Sequence, residues 1–145
     1  MILTEDRAAA DLLARARVVA VLGAQRDAQL PAHYVPDYLH RQGYRILPVN
    51  PTHFGETLWG EPFRATLGEL AEPVDIVDVL RRAEHLDDHL AELLAMQPAP
   101  RAVWFQLGIR NDRVAAALAA AGLDVVQDRC TMVDHRRFRQ AGLLP

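Results

Sequence analysis

The sequence contains no lysine, and its only cysteine is Cys130. Without lysine, the chain cannot form a lysine Schiff base or use the lysine of a phosphate-binding P-loop. A single cysteine excludes an intramolecular disulfide and any zinc site built from several cysteines. We therefore expect a cytoplasmic protein whose 16 basic residues, all arginines, carry its positive charge.

Long apolar runs are also missing. No run approaches the roughly 20 residues that a membrane-spanning helix needs. The N-terminal residues include two acids before the first base and no apolar segment typical of a signal peptide. The net charge of −3 argues against a general nucleic-acid binder. We expect a small-molecule ligand, with neither nucleic acid nor a membrane as partner.

A chain of 145 residues, half of them hydrophobic, predicts one domain over residues 1–145.

Short apolar runs bounded by turn residues predict five buried strands. They are Arg17–Leu22, Arg45–Val49, Asp75–Leu80, Arg101–Phe105 and Asp124–Gln127. Helical spacing between the runs predicts a first helix capped by Thr4, and later helices over 33–42, 84–96 and 112–121. The glycine- and proline-rich segment 50–70 is predicted to be an irregular crossover with a short helix at 66–71. The residues after Cys130 show no clear period.

The alternation of strands and helices predicts an α/β fold. We expect a Rossmann-like, doubly wound sheet of five mainly parallel strands in the order 3-2-1-4-5, with flanking helices. A ligand of such a sheet lies beyond the carboxyl ends of the strands, at the switch point between the first and fourth predicted strands. This rule selects the loops 23–30, 50–54, 80–84, 106–110 and 128–132.

Two of these loops bear on the choice of nucleotide. Gly23 follows the first strand, where backbone must approach a phosphate closely, but the G-x-G-x-x-G pattern is absent. Asn50 follows the second strand, where an NAD enzyme usually has an acid for the ribose hydroxyls. NAD is therefore disfavoured. The alternatives, a plain strand-to-helix turn at Gly23 and a strand-end cap at Asn50, stay open.

Arginines occupy four of the five selected loops. They are Arg26, Arg81, Arg82, Arg110 and Arg129. Converging guanidinium groups suit a polyphosphate, because each can make charge-assisted bonds to phosphate oxygens. The alternative is a set of solvated surface arginines, which is favoured for Arg110.

The sequence offers little for catalysis. Cys130 and His135 have the residue types of a nucleophile and a base, but nothing else supports that pairing. His85 and His89 share one face of a predicted helix without a third metal ligand, so a solvated face is favoured. Asp78 in the third strand would need partners if it points inward. We expect no catalytic residue and no metal.

Blocks at all five strand ends resemble a known family. They read VVAVLGAQRDAQLPAHYVPDYLHRQGYRILPVNP, EPVDIVDVLRR, VWFQLGIRN and DRCTMVDH. Over residues 15–137 they are similar to the small bacterial stand-alone CoA-binding domain proteins. Those in turn look like the N-terminal, CoA-binding domain of the succinyl-CoA synthetase α subunit. The resemblance implies a Rossmann-like fold that holds coenzyme A across the carboxyl ends of the strands.

Individual positions carry over from that resemblance. It places Gly23, Ala24, Gln25 and Arg26 around the phosphates. It places Asn50 and Pro51 on the adenosine side. It places Leu80, Arg81 and Arg82 on the wall after the third strand, where the synthetase has an apolar segment. It places Gln106, Leu107 and Gly108 against the pantetheine arm.

The synthetase's phosphohistidine lies in a second domain that this chain does not have, so acyl-CoA ligation is not implied. We therefore expect a CoA- or acyl-CoA-binding protein without chemistry of its own. One alternative is an NAD(P)-binding regulator or small oxidoreductase. The other is an interaction module that docks on a CoA-using enzyme through the residues after Cys130.

Overall fold

Helices and strands alternate along the chain in this computed structural model, which describes all residues from 1 to 145. The helices are α1 (Asp6–Arg15), α2 (Pro31–Arg41), α3 (Leu86–Ala95), α4 (Asp112–Ala120) and α5 (Thr131–Gln140). The strands are β1 (Val18–Leu22), β2 (Arg45–Val49), β3 (Thr57–Leu58), β4 (Glu61–Pro62), β5 (Ile76–Val79), β6 (Ala102–Phe105) and β7 (Asp124–Val126). Short 3₁₀ turns lie at Pro51–His53, Leu67–Glu69 and Ala83–His85.

The five longer strands form one parallel sheet in the order β2-β1-β5-β6-β7, while β3 and β4 form a separate antiparallel pair. This arrangement confirms the α/β, Rossmann-like fold with a five-stranded parallel sheet. In the numbering of the predicted strands the order is 2-1-3-4-5, so the predicted order 3-2-1-4-5 was wrong. The strand order therefore reverses between β1 and β5, and this switch point is not the predicted one between the first and fourth predicted strands.

Pro48 explains why β2 lies at the edge of the sheet. Its carbonyl oxygen accepts a hydrogen bond from Arg64 N on the outer side (3.1 Å), and Asn50 N donates to Arg64 O there (2.8 Å). The nitrogen of Pro48 faces the same side and carries no hydrogen, so a neighbouring strand would lack a ladder bond. A proline inside an apolar run indicates an edge strand. The predicted order nevertheless placed β2 between two other strands.

The two faces of the sheet carry separate cores. The helices α1, α2 and α5 cover one face, where Leu13, Leu39 and Phe138 pack around Trp104. The helices α3 and α4 cover the other, where Leu86, Leu93 and Leu118 pack on alternate strand residues. None of the helices has both the length and the apolar character that crossing a membrane requires.

The helix ends agree only in part with the prediction. The helix α4 begins at residue 112, as predicted, and Asn111 caps it, because its side chain accepts a hydrogen bond from Val114 N (3.0 Å). Thr4 does not cap the first helix: Glu5 holds the N-cap position, without a side-chain cap bond. The residues after Cys130, predicted to lack a period, form α5.

The buried residues of α5 explain why its period was missed. They recur at helical spacing, but three of the four are polar: Thr131, Asp134, His135 and Phe138. Because the sequence criterion counts apolar residues only, such a face shows no helical pattern.

Candidate functional site

The carboxyl ends of β5 and β6 open into a cavity of about 760 Å³ between the first turns of α2 and α5. Six predicted site residues line it: Leu80, Arg81, Arg82, Gln106, Leu107 and Gly108. The other lining residues are Leu30, Pro31, Ala32, Tyr34, Val35, Ala83, Ile109, Cys130, Met132 and Val133. The structure thus brings together the residues predicted after the third and fourth strands.

The charge of this cavity is positive. Arg81 and Arg82 line it, and none of the other lining residues is an aspartate or glutamate. The Nε of Arg81 is buried and has no hydrogen-bond partner. The side chain of Arg82 is 85% exposed, with its nearest carboxylate oxygen, on Glu84, at 3.9 Å. An unpartnered buried N–H is costly, so Arg81 is suited to an anionic group that enters the cavity.

Gly23 lies at the border of the cavity without lining it. Its φ is +95°, and a Cβ built there would lie 2.6 Å from Leu80 O and 2.9 Å from Arg81 Cδ. Glycine is therefore needed for the first loop to approach the end of β5. The N–H of Gly23 donates to Val49 O (2.9 Å), and that of Gln25 donates to Ala32 O (3.2 Å). These two N–H groups are already bonded within the protein.

Asn50 joins the first two strand-end loops from inside. It is 3% exposed. Its Nδ2 donates to Ala24 O (2.9 Å) and its Oδ1 accepts from Thr52 N (3.0 Å). The amide predicted to face the adenosine therefore holds the loops together, as in the alternative of a strand-end cap, while Pro51 beside it is exposed. Six of the predicted residues do not line the cavity: Gly23, Ala24, Gln25, Arg26, Asn50 and Pro51.

The structure also separates the five strand-end arginines. Arg26 donates to Thr57 O (2.8 Å) and lies 3.3 Å from Glu56. Arg110 pairs with Asp112 at 3.1 Å. Arg129 joins Asp134 (2.6 Å) and Asp6 (2.5 Å). These three have partners outside the cavity, which leaves Arg81 and Arg82 as its cations.

A buried polar cluster lies beneath the cavity. Gln106 Nε2 donates to Asp78 Oδ1 (2.7 Å) and to Thr131 Oγ1 (2.8 Å), and Thr131 Oγ1 donates to Asp78 Oδ2 (3.2 Å). Burial raises the pKa of Asp78 to about 7, although both hydrogen bonds oppose the rise. Gln106, predicted to face the pantetheine arm, therefore uses both Nε2 hydrogens to fasten β5 to α5.

Cys130 and His135 face different parts of the molecule. Cys130 lines the cavity described above, and burial raises the pKa of its thiol. His135 lines a cavity of about 160 Å³ beside Tyr44, and its Nδ1 lies 2.8 Å from the hydroxyl of Tyr38. Burial lowers the pKa of His135. The two side chains do not form a nucleophile–base pair.

The possible metal face on α3 is occupied by local pairs. His89 Nδ1 lies 2.5 Å from Glu92 Oε1, and His85 lies 3.7 Å from Glu84. No group of three or more histidine, cysteine, aspartate or glutamate side chains is arranged to hold a metal ion.

The helices α2 and α5 contribute walls to the cavity that were not expected from the sequence. Tyr34 and Val35 come from α2, and Met132 and Val133 from α5. The loop 128–132 was selected by the strand-end rule, but without a helix after it no wall was expected there. The polar buried face of α5 was the signal that could have revealed it.

This chain has relatives of known sequence and of known structure. A family model described as a CoA binding domain matches residues 17–136. The chain is 35% identical over 125 residues to the uncharacterized protein YneT of Bacillus subtilis, covering 86% of this chain and 90% of that one. It is 51% identical to a solved structure from Thermus thermophilus, cell-free ID.343, with a TM-score of 0.87. That match covers 92% of this chain and 98% of the other.

A more distant match is to a dinucleotide-forming acetyl-coenzyme A synthetase of Ca. Korarchaeum cryptofilum. The identity is 14% and the TM-score 0.65, over 79% of this chain and 26% of the synthetase chain. At that identity the match shows a shared fold only.

Proposed function

This chain belongs to the CoA-binding domain family. From that premise we propose that it binds coenzyme A at the carboxyl edge of its sheet. We also propose that it catalyses no reaction itself. The observation that carries the proposal is the cavity after β5 and β6, which holds two arginines and no carboxylate. We propose that residues 1–145 act as one binding unit. The expectation of a cytoplasmic location rests on the single cysteine and stays a prediction.

Charge supports a phosphate-bearing ligand. Coenzyme A carries a diphosphate and a 3′-phosphate, and a chain with a net charge of −3 attracts such an anion only where its cations are gathered locally. Arg81 and Arg82 supply that local charge. The buried Nε of Arg81 has no partner within the protein, so a phosphate oxygen would give it one.

The proposed pose follows the strand ends. The adenosine lies near Asn50 and Pro51, and the pantetheine arm lies toward Gln106, Leu107 and Gly108. The phosphates lie between the loop Gly23–Arg26 and the pair Arg81–Arg82, because Gly23 closely approaches Arg81. Asn50 and Gln106 serve the site by holding its loops in place. Arg26 would have to leave Thr57 and Glu56 to reach a phosphate.

Calorimetric titration of coenzyme A, 3′-dephospho-CoA and NAD into wild type and arginine variants tests the proposal. Losing a charge-assisted bond to phosphate costs about 1.5–3 kcal/mol, so Arg81→Ala or Arg82→Ala should weaken CoA binding roughly ten- to hundredfold. Arg110→Ala is the matched control, because it removes the same charge outside the cavity, and should stay within about twofold of wild type. The arginine that meets the 3′-phosphate should lose its effect with 3′-dephospho-CoA.

Arg81→Gln keeps most of the side-chain volume and guards against a folding defect, with melting curves recorded for every variant. Two results would overturn the proposal. One is CoA binding within about twofold of wild type in Arg81→Ala, Arg81→Gln and Arg82→Ala together. The other is tighter binding of NAD than of CoA, which would support the nicotinamide-nucleotide alternative.

A further inference from the structure

The cavity has an apolar part that its two arginines do not explain. Eleven of the 16 lining residues are hydrophobic. Four of the chain's nine exposed large hydrophobic side chains lie on its rim: Leu30, Tyr34, Leu107 and Val133. Leu107 is 69% exposed and Val133 is 50% exposed. Exposed apolar side chains gathered around one opening indicate a surface that a partner covers.

The arginines and the apolar rim lie on different sides of the cavity. Arg81 and Arg82 follow β5, whereas Tyr34 lies on α2 and Met132 and Val133 lie on α5. The cavity is therefore cationic on one side and apolar on the other. A ligand that complements both sides has an anionic head and a hydrocarbon tail.

Free coenzyme A matches this apolar side poorly. Its pantetheine arm carries two amides, which need hydrogen-bond partners when they leave water. The α2 and α5 walls offer few polar side chains, and Gln106 has already spent both Nε2 hydrogens on Asp78 and Thr131. A hydrocarbon chain needs no hydrogen bonds, and it would cover the apolar rim.

We propose that the ligand is an acyl-CoA whose acyl chain lies on the apolar surface between α2 and α5. This inference rests on the proposed function and specifies the ligand class at the same site. The arginines hold the phosphates, and the rim residues Leu30, Tyr34 and Val133 cover the chain. Each fully buried methylene should tighten binding about fourfold, so partial cover of an eight-carbon chain should give at least tenfold.

Titration of CoA, acetyl-CoA, butanoyl-CoA and octanoyl-CoA, kept below micelle-forming concentration, tests this inference. Wild type should bind octanoyl-CoA at least tenfold more tightly than CoA, with butanoyl-CoA between them. Val133→Gln places a neutral polar group on the rim and should reduce the preference for octanoyl-CoA over CoA threefold or more. Leu94→Gln changes an apolar position on α3 that is 43% exposed and lies outside the cavity, and it should leave the preference intact.

The outcomes separate this inference from the proposed function. If CoA binds and octanoyl-CoA binds within twofold of it, the acyl-chain inference is wrong and the proposed function stands. If none of the four ligands binds, both are wrong. Sedimentation of the ligand-free protein tests whether a second copy covers the rim. A dimer that Val133→Gln dissociates would overturn the acyl-chain assignment.

Discussion

At the scale of single residues, Gly23 and Asp78 show how packing sets what one side chain or backbone position must do. Gly23 combines a positive φ with a close approach to Leu80 and Arg81. Asp78 is a carboxyl group fully enclosed beneath the candidate site. Unfolding measurements on variants at both positions can separate these effects from those of ordinary substitutions.

Replacing Gly23 with alanine should destabilise the protein more than the same change at Gly43. Both glycines have φ near +100°, but a Cβ at Gly43 would meet nothing within 4 Å. Gly43→Ala should therefore cost about 1 kcal/mol for the left-handed backbone alone. Gly23→Ala should cost roughly 3 kcal/mol, because its Cβ also forces Leu80 O to shift. Urea unfolding of both variants measures the difference, and equal losses would show that the close approach is unimportant.

Asp78 should make a contribution to the stability of the wild type that is lost as pH rises from about 4 to 7. Its pKa is raised to about 7 in the folded protein, so the folded state retains a proton that the unfolded state has already released. Within that window this group lowers the free energy of unfolding by about 1.4 kcal/mol per pH unit. In Asp78→Asn that contribution should vanish. Urea midpoints for both proteins from pH 4.5 to 8 test it, and parallel pH profiles would contradict it.

At the scale of elements, α5 depends on ion pairs as well as on apolar packing. Asp134 is buried and binds Arg129 at 2.6 Å and Arg137 at 3.2 Å, and both arginines reach Asp6 at the start of α1. Hydrogen bonds from these arginines hold the pKa of Asp6 far below its usual range. The network joins α1, near the N-terminus, to α5, near the C-terminus.

Removing the buried carboxylate of this network should cost more than removing its exposed arginine. Asp134→Ala leaves the half-buried Arg129 with fewer partners and should cost about 2–3 kcal/mol. Arg137→Ala removes a half-exposed side chain and should cost no more than about 1 kcal/mol. Thermal and urea unfolding compare the two. A larger loss in Arg137→Ala would mean that exposed pairs, not the buried one, hold α5.

At the scale of the whole molecule, the fold holds apart the thiol and the imidazole that a nucleophilic reaction would need side by side. Cys130 lines the candidate ligand cavity, and His135 lines the small cavity beside Tyr44. We therefore expect no thioester hydrolysis and no acyl-CoA formation from acid, CoA and nucleoside triphosphate. Product analysis with purified protein tests this. Turnover that disappears in Cys130→Ser would show that the thiol acts without His135.

The five main strands could be located from the sequence, because each is a short and mostly apolar run that is buried on both faces. Their order was wrong, because the third predicted strand, β5, pairs with the free edge of β1 and not with β2 as the predicted order required. The proline in β2 carried that information. The helix α5 was missed because most of its buried residues are polar and are held by ion pairs and hydrogen bonds.

Local patterns of apolar and turn residues were enough to establish the α/β class and the strand positions, and to select the loops where we expect a ligand. These properties follow from the chain's own period and from the geometry common to parallel sheets. Only the folded structure shows which arginines pair with carboxylates elsewhere and which line the cavity. Arg129 meets Asp6, 123 residues away, whereas the buried Nε of Arg81 meets no partner. Tertiary packing decides such pairings, because it brings together charges whose separation along the chain carries no information about their distance in space.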